Sequence, residues 1–134
     1  MKIVVDTNLW VSFLIKGGVT TPLKEIIGNG RAAIVMSQEL EEEIMAVVCR
    51  PKFRKYFSEA SYQLLLSFLR KRCEYYSPTE PTQHCRDKKD DFLLGLSLAS
   101  AADFLLTGDA DLLAMKTIGN CRILTLSSFL TRRQ

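Results

Sequence analysis

Short apolar runs that stop at polar or acidic residues alternate with helix-period segments, and this alternation limits the fold more than any other feature of the chain. Ile3-Val-Val5 stops at Asp6, Ala32 to Met36 at Ser37, Phe104-Leu-Leu106 at Thr107, and Arg122 to Leu126 at Ser127. Thr7 to Ile15 reads as a helix closing at Gly17-Gly18, and Pro22 opens a second over Leu23 to Ile27, stopped by Gly28-Asn29-Gly30. Ser37 caps the next helix, which runs to about Cys49, ahead of Arg50-Pro51. Ser58 begins another, with Leu64, Leu65, Phe68 and Leu69 on one stripe. Glu74-Tyr-Tyr76 reads as a strand, and Ser77 to Arg86, with two prolines, as the longest loop. Asp90 to Ala102 is apolar nearly all round and reads as a central, buried helix; Leu112 to Met115 and Ser127 to Leu130 read as short ones. Strands alternating with helices predict an α/β domain with a mainly parallel sheet and right-handed crossovers. A length of 134 residues suits a single domain spanning 1–134, large enough for one core without disulfides.

In such sheets ligands bind outside the carboxyl ends of the strands. That rule selects Asp6, after the first strand, and Thr107-Gly-Asp109-Ala-Asp111, after a late one. Each of these acids has a plainer reading as a helix cap, Asp109 or Asp111 serving the helix at Leu112. Asp90 shares a helical face with Leu94, Ser97 and Ala101, where a carboxylate needs a cation, donors or water. Asp87 and Asp91 flank it and suit a helix start electrostatically. In the helix with core stripe Leu40, Ile44, Val47 and Val48, Glu42 faces solvent. Glu41 and Glu43 lie on opposite margins of that stripe, and periodicity does not choose between them.

Converging carboxylates repel and persist only where a cation neutralises them. Oxygen ligands suit Mg²⁺ or Mn²⁺ rather than zinc, and the single histidine, His84, leaves no histidine-rich zinc site. Such ions activate water and stabilise charge on phosphoryl oxygens, in paired sites about 3.5–4 Å apart. The residues alone therefore point to a hard-metal phosphoryl site. The four cysteines are widely spread with no Cys-x-x-Cys pair, which removes zinc-ribbon and thioredoxin-type readings. Reduced thiols in a cytoplasmic protein are the economical expectation. No signal-peptide pattern and no apolar run of membrane-spanning length is present.

Eighteen Lys and Arg against fifteen Asp and Glu leave a formal charge of +3, so the placement of bases matters more than their sum. They cluster at Arg50, Lys52, Arg54 and Lys55, at Arg70, Lys71 and Arg72, from Arg86 to Lys89, and at Arg132-Arg133. A single cluster reads first as a solvated helix end; several around an acidic site suit a phosphate backbone. Trp10 and Phe13 read as core or dimer packing before base stacking.

Val4-Val-Asp-Thr-Asn8, Ser37-Gln-Glu-Leu-Glu-Glu-Glu-Ile44, Arg50-Pro-Lys-Phe53, Cys85-Arg-Asp-Lys-Lys-Asp-Asp91 and Ala102-Asp-Phe-Leu-Leu-Thr-Gly-Asp-Ala-Asp-Leu-Leu113 together resemble the PIN-domain family over essentially the whole chain. The resemblance is greatest to the bacterial toxin components of toxin–antitoxin pairs, similar to VapC toxins. It implies a Rossmann-like three-layer α/β/α sandwich and an endoribonuclease using Mg²⁺ or Mn²⁺, leaving 5′-phosphate and 3′-hydroxyl ends. It implies catalytic and metal-binding roles for Asp6, Glu43, Asp90 and Asp109, with Asp111 a further ligand, and so favours Glu43 over Glu41 and Asp90 over Asp91. Thr7, Asn8 and Thr107 match polar positions around the site, with Asp87 and Asp91 beside it. RNA, a small cognate antitoxin and a second copy of the chain are the implied partners, with the two basic clusters of Arg50 to Lys55 and Arg70 to Arg72 steering RNA. The family segment usually reads Arg-Asp-Pro, whereas Lys88 follows Asp87 here.

Rivals come from other classes. A haloacid-dehalogenase-type phosphatase needs an acid where this chain has Asn8. A response-regulator receiver needs an acidic pair at the first strand. A non-catalytic RNA- or antitoxin-binding module is compatible with every motif, since a motif does not prove turnover.

Overall fold

A computed structural model of the chain describes residues 1–15, 32–78 and 88–132. The expected helix at Leu23 to Ile27, and Asp87, His84 and Cys85, lie outside those residues. Among the described residues six strands form one sheet in the order β3-β2-β1-β4-β6-β5: β1 is Lys2–Val5, β2 Ala33–Met36, β3 Cys73–Tyr75, β4 Phe104–Leu106, β5 Thr117–Ile118 and β6 Cys121–Leu124. All neighbours pair in parallel except β5 with β6. Ile3, Val4 and Val5 are successive residues of one strand and all fully buried. Successive strand side chains point to opposite faces, so both faces of the sheet are covered. That is the mainly parallel α/β sandwich the alternation predicts.

The helices follow local rules. α1, Thr7–Ile15, starts directly after β1, with Trp10 N–H donating to the Asp6 carbonyl at 3.0 Å. α2, Gln38–Val48, is capped by Ser37, whose hydroxyl accepts from Leu40 N–H, and buries Leu40, Ile44, Val47 and Val48 as its stripe requires. A single 3₁₀ turn, Pro51–Phe53, separates it from α3, Glu59–Arg72, capped by Ser58. α4 is Lys88–Ala99, α5 is Ala110–Met115 and α6 is Leu126–Arg132.

Three expectations change. Only half of the α3 stripe faces the core: Leu65 and Leu69 are buried, while Leu64 is 72% and Phe68 39% exposed. The helix expected to reach Ala102 stops at Ala99, and Ala101 sits exposed at φ 53, so it does not continue the face of Leu94 and Ser97. β5 was not expected; a two-residue strand carries no period, and it is set by a hairpin in which Ile118 pairs with Cys121. Gly119 turns that hairpin at φ +58, where a β-carbon would also meet Leu98 Cδ2 at 3.0 Å.

The strand order gives the sheet one reversal point. From β1 the chain moves to β2 and β3 on one side, then returns to place β4 on the other side of β1. The crevice outside the carboxyl ends of β1 and β4 is where such sheets take their ligands.

Candidate active site at the β1–β4 switch point

Asp6 follows the last residue of β1, and Thr107 follows the last residue of β4. Because Val5 pairs with Leu106, the ladder carries Asp6 and Thr107 into the crevice side by side, with Asp6 N–H donating to the Leu106 carbonyl at 2.9 Å. Thr107 Oγ1 donates to Asp6 Oδ2 at 2.6 Å and accepts from Asp109 N–H at 3.0 Å. Thr107 is buried, so the link is shielded from water. Asp109 Oδ1 in turn accepts from the backbone N–H groups of Asp111 and Leu112, at 2.8 and 3.2 Å, as the N-cap of α5. Of the two acids offered by the sequence as caps for this helix, Asp109 does the capping, and Asp111 is exposed.

Both carboxylates are half-buried, and each has one oxygen engaged. Asp6 Oδ1 and Asp109 Oδ2 accept no hydrogen bond among the described residues. Beside Asp6, the buried hydroxyl of Thr7 also has no partner among the described residues. An all-oxygen donor set with open oxygens on two neighbouring carboxylates fits a hard divalent cation. Among the described residues no group of three Asp, Glu, His or Cys side chains is arranged to hold an ion, and the Asp90 side chain is outside them. The structure therefore joins Asp6, Thr107 and Asp109 directly. It places half-buried Glu43 on α2, exposed Asn8 at the start of α1, and half-buried Asp91 on α4.

The two margins of α2 differ in environment. Glu41 is 7% exposed, and its Oε1 accepts from Tyr75 Oη at 2.8 Å and from Arg70 Nε at 3.2 Å. Glu41 is thus committed to a structural contact with α3 and β3. Tyr75, which the sequence marked only as a strand residue, has its phenol pushed above its ordinary range by burial, reinforced by the hydrogen bond to Glu41 and its charge. Trp10 is fully buried, as the core reading has it. Arg50, Lys52, Arg54, Lys55, Arg70, Lys71 and Arg72 are all exposed. Lys52 and Lys55 lie over the rings of their neighbours Phe53 and Tyr56, with the ammonium about 5 Å from each centroid.

In fold, the chain is similar to a crystal structure of VapBC2 from Rickettsia felis bound to a DNA fragment from their promoter. The TM-score is 0.63 at 16% identity, over 92% of this chain and 97% of that one. No curated protein matches the chain in sequence. The family model described as PIN domain matches residues 2–111, a span that opens with β1 and closes just past the Thr107–Asp109 turn. It takes in both strands of the crevice and every acid named at it, and the chain belongs to the PIN-domain family.

Proposed function

We propose that this chain is a metal-dependent endoribonuclease, the toxin of a toxin–antitoxin pair, cleaving RNA phosphodiester bonds at the β1–β4 crevice. The observation that carries the reading is the Thr107 bridge, which joins the Asp6 carboxylate to the backbone of Asp109 at the switch point of a mainly parallel sheet. Membership in the PIN-domain family supports nuclease chemistry. The likeness in fold to a chain crystallised as VapBC2 with promoter DNA supports an antitoxin partner.

Asp6, Glu43, Asp90 and Asp109 are the donors proposed to hold Mg²⁺ or Mn²⁺, with Asp111 at the rim. When bound, the metal supplies a Lewis acid for a phosphate oxygen and lowers the pKa of water. The chain's own residues orient the site. Thr107 fixes Asp6 by donating to one oxygen, which leaves the other to take a metal. The α5 backbone holds Asp109 the same way through its cap. Ordering carboxylates before binding lessens the cost of bringing like charges together. Thr7, Asn8, Asp87 and Asp91 are proposed as the surrounding polar groups, and the exposed bases at Arg50 to Lys55 and Arg70 to Arg72 as phosphate contacts.

The test is cleavage of a single-stranded RNA by the purified protein in Mn²⁺ or Mg²⁺, beside Asp6→Asn and an EDTA control. Metal-dependent cleavage lost in Asp6→Asn supports the assignment. Cleavage that survives in the variant sinks it, and no cleavage of several RNAs leaves a binding module as the better description.

A further inference from the structure

Tyr75 ends β3, the strand at one edge of the sheet. The registers Val4 with Val35 and Met36 with Tyr75 put Tyr75 level with Val5, one residue short of Asp6. Two strand spacings separate β3 from β1, so the Tyr75 backbone lies about 10 Å from the Asp6 end of the sheet. Tyr75 is 40% exposed, yet its hydroxyl is tied to the buried carboxylate of Glu41. The same oxygen of Glu41 holds Arg70 through Nε, leaving the terminal guanidinium nitrogens of a side chain that is 62% exposed.

A partly exposed tyrosine and an exposed guanidinium, both held by one buried acid, form a pre-set aromatic and cationic pair. Arg70 is also the first of three consecutive bases, with Lys71 and Arg72 exposed beside it, so the charge here favours a polyanion. The cleft at the carboxyl ends of β2 and β3 includes Glu39 and Glu42 in its lining, which repel phosphate, so charge favours the bases at Arg70 to Arg72 over that cleft. Aromatic faces stack any base, and guanidinium groups take phosphate oxygens, which is how single strands are bound without reading sequence. We propose that Tyr75 and Arg70, held by Glu41, form a base-stacking and phosphate-binding subsite for single-stranded RNA beside the crevice. It rests on the nuclease reading for its substrate class.

The experiment measures binding of a short fluorescein-labelled single-stranded RNA by anisotropy in EDTA, so that affinity is read without cleavage. Tyr75→Leu weakens binding about tenfold, while a strand with abasic sites, already lacking the stack, is bound equally by wild type and variant. Tyr75→Phe keeps the ring and loses the Glu41 bond, and retains most of the affinity. Arg70→Gln weakens both strands and lowers the salt slope by about one phosphate contact. Unchanged RNA affinity in Tyr75→Leu and Arg70→Gln overturns the subsite while the nuclease reading stands. Equal weakening toward RNA and the abasic strand also overturns it, making Tyr75 a scaffold. Wild type that binds no RNA overturns both. RNA bound through Tyr75 but left uncut in Mn²⁺ removes the nuclease reading alone.

Discussion

Thr107 Oγ1 donates to Asp6 Oδ2 at 2.6 Å, joining residues 101 apart in sequence across the central strand pair. The same oxygen accepts from Asp109 N–H, so one buried hydroxyl ties the Asp6 carboxylate to the backbone of Asp109. Thr107→Val keeps the shape and removes both bonds. Cleavage of RNA in Mn²⁺ should fall about 10- to 100-fold, the usual cost of losing a group that orients a metal ligand. The unpaired Asp109 N–H should cost about 1–3 kcal/mol in a thermal or urea melt. Thr107→Ser should restore most of both.

Asp109 serves twice, as cap and as proposed ligand, and two substitutions separate the roles. Asn caps about as well as Asp, so Asp109→Asn should melt close to wild type while losing metal-dependent cleavage. Asp109→Ala should lose cleavage and also about 1 kcal/mol of stability. Equal activity in Asp109→Asn and wild type would remove Asp109 from the donor set.

Glu41 and Glu43 should respond in opposite ways. Glu41→Gln weakens the hydrogen bonds from Tyr75 and Arg70 and should lower stability by about 1–2 kcal/mol and loosen RNA binding, with the single-turnover rate at saturating RNA largely kept. Glu43→Gln should abolish cleavage. Single-turnover rates read beside denaturant midpoints check both at once.

Alkaline pH should weaken the fold through the half-buried thiol of Cys73 and the buried one of Cys121. Burial pushes Cys73 up to about 12 and Cys121 to about 11, from an ordinary 9.0. A group whose folded pKa is raised stabilises fully below its unfolded value and loses that contribution as pH rises toward the folded one. Stability should therefore fall from about pH 9 upward, and Cys73→Ala should flatten the melting temperature between pH 9 and 11. In a Cys49→Ser, Cys85→Ser background the two remaining thiols should react slowly with a disulfide reagent at pH 8 until the protein unfolds.

The α3 stripe should split by face. Leu69→Ala, at a fully buried position, should cost about 2–5 kcal/mol, while Leu64→Ser should stay within about 0.5 kcal/mol of wild type. A urea titration of the two variants separates the faces directly.

Much of the fold is legible along the chain because short apolar strands and capped helices are local patterns. Ser37 stands where the sequence sets it as a cap, and its hydroxyl accepts as expected; Ser58, read as opening the next helix, caps it. Helical period fails at Leu64 and Phe68 because it marks apolar residues without knowing how wide a contact the neighbouring elements offer. It overruns at Ala99 because the chain has no glycine there to signal the stop, and Ala101 takes the left-handed conformation instead. Glu41 and Glu43 are symmetric on a helical wheel. Only the arrival of Arg70 and Tyr75, from a later helix and strand, gives Glu41 its partners.

By itself the sequence determined that an acid stands at or just past the carboxyl ends of two apolar strands, because Ile3-Val-Val5-Asp6 and Phe104-Leu-Leu106-Thr-Gly-Asp109 state it within a few residues. Tertiary structure alone decided that these two strand ends are neighbours. A parallel sheet can order its strands in many ways, and the reversal after β3 that sets β4 against β1 depends on how the helices cover both faces. That reversal brings Thr107 within hydrogen-bond reach of Asp6, a contact that no local pattern encodes, since its partners share neither a helix turn nor a strand.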